Sequence, residues 1–152
     1  MSKQLQKYKD HFILMAEAGF IAVNQGDEDA AVKLFKASEL LSPEAILPKV
    51  GRGYMHLCKL ELKQAAQMFE QILENDPRNE MARTFLGLSL SLNPTEVMKG
   101  EKILEKAAKE CEEPMIKNLA LSALDFVEKF VKKAPSPLQA EAPKKTKDKK
   151  AK

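Results

Sequence analysis

Histidine and cysteine are the residue types here best suited to nucleophilic or metal chemistry, and the 152-residue chain holds two of each. His56 and Cys58 come nearest in sequence. A cysteine nucleophile needs an imidazole placed to take its proton, yet two residues apart on a helix the side chains leave different faces. His11 and Cys111 stand alone, and no HxxxH or CxxC spacing provides the start of a metal site. The expectation is therefore no catalytic residue, no metal ligand and no cofactor: this is not an enzyme. Two isolated cysteines do not make a disulfide framework, which points to reduced thiols in a cytoplasmic protein.

A basic surface for nucleic acid is the next possibility, because the formal charge is +3. The tail 134–152 carries six lysines against Glu141 and Asp148, a net of +4, which leaves residues 1–133 at −1. The basic balance belongs to the tail. In the rest of the chain acids and bases interleave, unlike the clustered basic face of a nucleic-acid binder. Tail lysines without aromatics would attract RNA or an acidic membrane only weakly. No apolar run exceeds the six residues from Ala18 to Val23, so neither membrane insertion nor a signal core is expected. The tail is rich in Lys and Pro with almost nothing to bury, and it is expected to be disordered.

With 44% hydrophobic residues and abundant Leu, Ala, Glu, Lys and Met, the remainder reads as one all-α domain. A helix over Leu5–Asn24 is apolar nearly all round, as in an element covered on two sides. In "NQGD", Gly26 suits a left-handed helix end and Asp27 a cap, and the partner helix then runs to Leu41. Ser42 before Pro43 and Asp76 before Pro77 read as capping residues with proline at the first helical position. They divide the chain into Ala45–Cys58 with Leu62–Glu74, where Pro48 delays the regular start, and Arg78–Leu92 with Thr95–Cys111. Pro114–Lys133 forms a seventh helix, with Met115, Leu119, Leu121, Leu124, Phe126, Val127 and Phe130 on a helical stripe that caps the open end.

Gly19, Ala31, Phe35 and Pro43 recur thirty-four residues later as Gly53, Ala65, Phe69 and Pro77, and Gly87 continues the series. The glycines let the second helix of each pair approach the first, the alanines complete that contact, and the phenylalanines fill the gap between pairs. Lys99 stands where the third small residue is due, with Gly100 one place later, so a short insertion falls near "NPTEVM". Arg52 occupies the place before Gly53 where leucine is usual. This pattern resembles the tetratricopeptide repeat. The resemblance implies a tetratricopeptide-repeat superhelix over residues 1–133, with three helix pairs and a C-terminal capping helix.

Such a stack turns its first helices toward a concave groove. Counting along the repeat places Ile13, Ala16, Phe20 and Val23, then Leu47, Val50, Tyr54, Leu57 and Cys58, then Met81, Thr84, Leu88 and Leu92 on it. None is charged. Repeat proteins that grip a C-terminal carboxylate use Lys, Asn and Arg there, so this groove suits the apolar face of an amphipathic helix instead. Coverage by the chain's own end helices or by a second subunit is the alternative.

A small three-repeat protein of this kind looks like the tetratricopeptide chaperones of bacterial type III secretion, over about residues 10–133. The closing segment "KGEKILEKAAKECEEPMIKNLALSALDFVEKFV" is more similar to the branch that holds the needle subunit than to the branch that holds the translocators. The resemblance implies a groove that receives the amphipathic C-terminal helix of the needle subunit, often with a small co-chaperone, and masks it against premature polymerisation. A translocator chaperone and a general repeat scaffold are the alternatives.

Overall fold

The computed structural model describes residues 6–133; the tail 134–152 and Leu5, the expected start of the first helix, lie outside the described residues. Seven α-helices and no strand are found among them. They are α1 (Phe12–Asn24), α2 (Glu28–Leu41), α3 (Leu47–Cys58), α4 (Leu62–Asn75), α5 (Glu80–Ser91), α6 (Val97–Glu110) and α7 (Pro114–Phe126). A short 3-10 turn, Lys9–His11, leads into α1, which thus starts later than the hydrophobic pattern suggested.

Helices pack in consecutive pairs, α1 on α2, α3 on α4 and α5 on α6, and α1, α3, α5 and α7 also meet their neighbours in that series. The glycines explain how the pairs close. A Cβ built on Gly19 would stand 2.5 Å from Phe35 Cε1, and one on Gly53 2.7 Å from Phe69 Cε1. Both rings are fully buried, and Ala31 and Ala65 beside them are buried as well. Phe35 does more than close its own pair, because a Cβ on Gly51 of α3 would also strike it. That ring is the wedge between the first two pairs.

The third pair repeats the device one residue out of step. Gly87 faces Leu104, seventeen residues on instead of sixteen, and the small residue opposite is Gly100, whose added Cβ would meet the backbone of Ser91 and Gly87. Lys99, at the regular spacing, is exposed. The slip arises in the connection, where the first two pairs end alike. In each, a residue with positive φ, Gly26 (75°) or Leu60 (58°), is followed by an N–H returning five residues, Asp27 to Ala22 and Glu61 to His56. This left-handed helix ending costs glycine little and a leucine more. The third pair instead turns through Asn93–Glu96, where the Asn93 side chain accepts from Thr95 N–H and its hydroxyl.

The prolines act differently from the expectation. Ser42–Ala45 and Asp76–Asn79 are four-residue turns closed by N–H···O bonds of 3.0 and 3.1 Å, with Pro43 and Pro77 second in each. Proline favours that turn position because its φ is already set, and Ser or Asp favours the first. Helices begin only afterwards: α3 at Leu47 with Pro48 in its first turn, and α5 behind Asn79, whose side chain caps Ala82 N–H at 2.9 Å. Asp27 does cap α2, accepting from Ala30 N–H at 3.0 Å.

The end helices also differ from the pattern read in the sequence. α1 buries Ala16, Gly19, Ala22 and Val23 but leaves Ile13, Leu14 and Ile21 about half exposed, since no earlier pair covers its outer side. α7 packs on α6 and α5 through Ala120 and Ala123, with Leu119 and Leu124 alongside, and Val127 just past its end is buried. Met115, Leu121, Phe126 and Phe130 face outward, the two phenylalanines 5.0 Å apart across a closing π turn, Val127–Val131.

Leu60 offers a direct test of the repeated turn. Its left-handed backbone is strained for a leucine, and its side chain is 70% exposed and holds little packing. Leu60→Gly, which copies Gly26, should stabilise the protein by about 0.5–1 kcal/mol, net of the extra freedom glycine has when unfolded. The urea midpoint measures it, and a lowered midpoint would mean that the leucine is held by contacts of its own.

Candidate functional site

The apolar residues counted onto the first helices fall into two groups. Ala16, Val23, Val50, Leu57 and Thr84 are buried in the core between helices, and the Thr84 hydroxyl has no hydrogen-bond partner there. Phe20, Leu47, Tyr54, Met81 and Leu88 are half-buried, and Ile13 is exposed. The second group and Ile13 offer side-chain surface to a partner, as do Cys58, which is exposed, and Leu92, which is half-buried. The first group lies in the core between helices, where the glycines of the first helices let the second helices come close.

Phe20, Tyr54 and Leu88 occupy equivalent places in α1, α3 and α5. Phe20 and Tyr54 touch, with ring centroids 5.7 Å apart and planes 42° tilted. Beyond Tyr54 the row passes to Phe85, 5.2 Å away, and through Phe85 to Phe69 at 5.6 Å, while Phe20 and Phe35 meet nearly perpendicular at 5.5 Å. Leu88 lies against two groups, the central core and the α6–α7 cluster around Leu104 and Ala120. The row is therefore anchored from beneath by the wedge phenylalanines. Such rings lose little further freedom when something docks on their exposed edges.

Phe85 was not among the residues read from the sequence. It follows Thr84, and its places thirty-four and sixty-eight residues earlier hold Gly51 and Glu17, so the repeat gave no sign of an aromatic there. The aromatic ring there bridges Tyr54 and Phe69 where the preceding pair has Phe35 against a glycine.

Tyr54 is held at its polar end too. Its hydroxyl donates to Asn24 Oδ1 at 2.7 Å, tying α3 to the end of α1. Burial, with a side-chain hydrogen bond to Cys58 and that thiol's charge in smaller measure, pushes the phenol up to about 12. Because the folded value is raised, the protonated phenol supports the fold below the ordinary value of 10.0, and that support is lost as pH rises toward 12. In a Tyr8→Phe variant, which leaves Tyr54 alone, ultraviolet titration should show one phenol ionising near 12. A midpoint at 10 would mean that Tyr54 is freely solvated.

A polar cluster lies at the turn beside this row. Lys59 bridges Glu28 at 2.9 Å and Glu61 at 3.1 Å, joining the turns of the first and second pairs. Its ammonium is held above the ordinary lysine value by these bonds, Glu28 first. His56 Nδ1 meets Glu61 Oε2, and that contact, followed by Lys59, lowers the Glu61 carboxyl. Every member of the cluster is at least partly solvated, so it aligns the turns and contributes little stability. Cys111 is buried and donates to Glu80 Oε2 at 2.9 Å; burial raises its thiol first, then that bond. Among the described residues no group of three or more His, Cys, Asp or Glu side chains comes together as a metal site would require. No helix among them is long and apolar enough to cross a membrane.

The row and Ile13 present apolar side chains on the first helices, with no charge among Ile13, Phe20, Leu47, Tyr54, Met81 and Leu88. No protein family, curated protein or solved structure matches the chain.

Proposed function

We propose that this chain is a tetratricopeptide-repeat chaperone that receives the apolar face of an amphipathic helix along the first helices of its three pairs. Following the type III secretion resemblance, the client is a needle subunit kept from premature polymerisation in the cytoplasm, with a small co-chaperone as a further partner. The observation that carries the reading is the row Phe20–Tyr54–Leu88: uncharged, half-buried residues repeated once per pair and backed by core aromatics. A helix presents apolar anchors at i, i+3, i+4 and i+7, and an uncharged row repeated once per pair offers such anchors successive contacts. A client whose own helix drives assembly needs only to be masked, which binding accomplishes without catalysis.

The test starts with co-purification from the native host, which should recover a small secreted protein with an amphipathic C-terminal helix. A synthetic peptide of that helix is then titrated calorimetrically against the parent, Tyr54→Ala and Ile13→Glu. Removing a central anchor typically costs about 2 kcal/mol or more, so Tyr54→Ala should weaken binding at least roughly tenfold. Ile13 is 45% exposed, so the glutamate tests the rim without disturbing the core, and circular dichroism verifies the fold of both variants. Unchanged affinity in two folded variants would overturn the groove reading.

A further inference from the structure

The second helix pair differs from its neighbours in the residue between Gly51 and Gly53. Lys49 and Arg52 lie three residues apart in α3 and so share a face. Thirty-four residues to either side, the place of Arg52 is held by Ala18 and Leu86, and Leu86 is buried in the core. An arginine thus stands where its counterparts are apolar. Beside it opens a cleft of about 520 Å³ between the start of α3 and the end of α4, lined by Lys49 and Arg52 from one helix and Met68, Gln71, Ile72 and Asn75 from the other. That volume falls in the ~300–1,000 Å³ range of clefts that bury small ligands.

Its positive charge is only partly answered. Arg52 pairs through Nη2 with Glu39 at 3.2 Å, while Arg52 Nε is buried with no hydrogen-bond partner. Among the described residues Lys49 has no carboxylate within ion-pair distance. The first turn of α3 holds no acidic residue and no side-chain cap, whereas α2 starts with Glu28 and Asp29 behind a capping Asp27. Glu44 at the rim is the one acid lining the cleft; it disfavours a multiply charged anion but can accept from a peptide N–H. Asn75 already donates to the Gln71 carbonyl at 2.9 Å, which leaves its Oδ1 as an acceptor.

We propose that this cleft binds a short extended peptide through a carboxylate, from an acidic side chain or a chain terminus, set against Lys49 and Arg52. An apolar neighbour of that carboxylate rests on Met68 and Ile72, and Gln71 and Asn75 pair with the peptide backbone. Arginine in this place is a recognition group: its guanidinium keeps free donors that a leucine would lack. The site is separate from the Phe20–Tyr54–Leu88 row, so either can fail without the other.

The ¹⁵N-labelled full chain is titrated with acetyl-Ala-Leu-Glu-Leu-Ala-amide, its glutamine counterpart, the same glutamine peptide with a free C-terminal carboxylate, and inorganic phosphate. Saturable shifts at the amides of Lys49, Arg52, Gln71 and Asn75 are expected with a carboxylate-bearing peptide, and at least tenfold weaker binding with the glutamine amide. Whichever carboxylate peptide binds identifies side chain or terminus as the source. Arg52→Leu, which copies Leu86 and should fold, is expected to weaken the same shifts at least tenfold, and Lys49→Gln to weaken them less. Four outcomes overturn the proposal: no saturation at millimolar peptide, equal binding of the glutamine amide, full binding by folded Arg52→Leu, or phosphate producing the same shifts at lower concentration.

Discussion

Phe35→Ala is expected to destabilise the protein by about 3–5 kcal/mol, the range for a buried aromatic. The cost of truncating a core ring depends on how far the surroundings can relax into the void. Here two of the walls are Gly19 and Gly51, which have no side chains to move inward, and both belong to helices held by other contacts. The void would also remove the edge contact with Phe20, 5.5 Å away, and loosen the row that Phe20 shares with Tyr54. Equilibrium urea unfolding measures the loss. A change under about 1 kcal/mol would show that the first two pairs do not depend on this wedge.

Gly100→Val should cost about 3 kcal/mol or more, the high end for overpacking, because the obstacle is backbone. A side chain there meets Ser91 N and Oγ and the Gly87 carbonyl, and no rotamer change can move a main-chain atom aside. Helices α5 and α6 would have to separate. Lys99→Ala provides the contrast: Lys99 sits at the regular thirty-four-residue spacing but is exposed, so its replacement should change stability by no more than about 0.5 kcal/mol. If Lys99 proved the sensitive position and Gly100 the tolerant one, the one-residue slip in the third pair would be wrong.

Both predictions rest on features legible before any coordinates. The recurrence of glycine, alanine and phenylalanine at thirty-four residues stated which positions must be small and which must fill space, because close approach of two helices leaves no room for Cβ at the crossing. Gly19 against Phe35 and Gly53 against Phe69 are that requirement met. The insertion in the third pair was equally visible, in the displacement of Gly100 from Lys99. Local turn chemistry was harder to read. Ser42–Pro43 and Asp76–Pro77 fit a capped helix start and a four-residue turn equally well by residue type, and the chain uses the turn, starting its helices several residues later.

The row of groove residues divides along the same line. Periodicity identified the face of each first helix that carries Ile13, Ala16 and Phe20 or their counterparts, since a helix fixes which residues share a side. It could not say how much of that face the next pair covers, a matter of the spacing between helices. Small or slender residues such as Ala16, Val50 and Thr84 sink into that spacing, while Phe20, Tyr54 and Leu88 are long enough to reach out of it. The same holds for Arg52. Its identity as a departure from the repeat was plain in the sequence, but only the packing of α3 beside α4 showed that the departure opens a cleft. Composition and spacing determined an all-helical chain built from repeated pairs, because they dictate local conformation and the size each contact tolerates. Tertiary structure alone decided which apolar residues remain exposed and where charge goes unanswered, because both depend on distances between helices far apart in sequence.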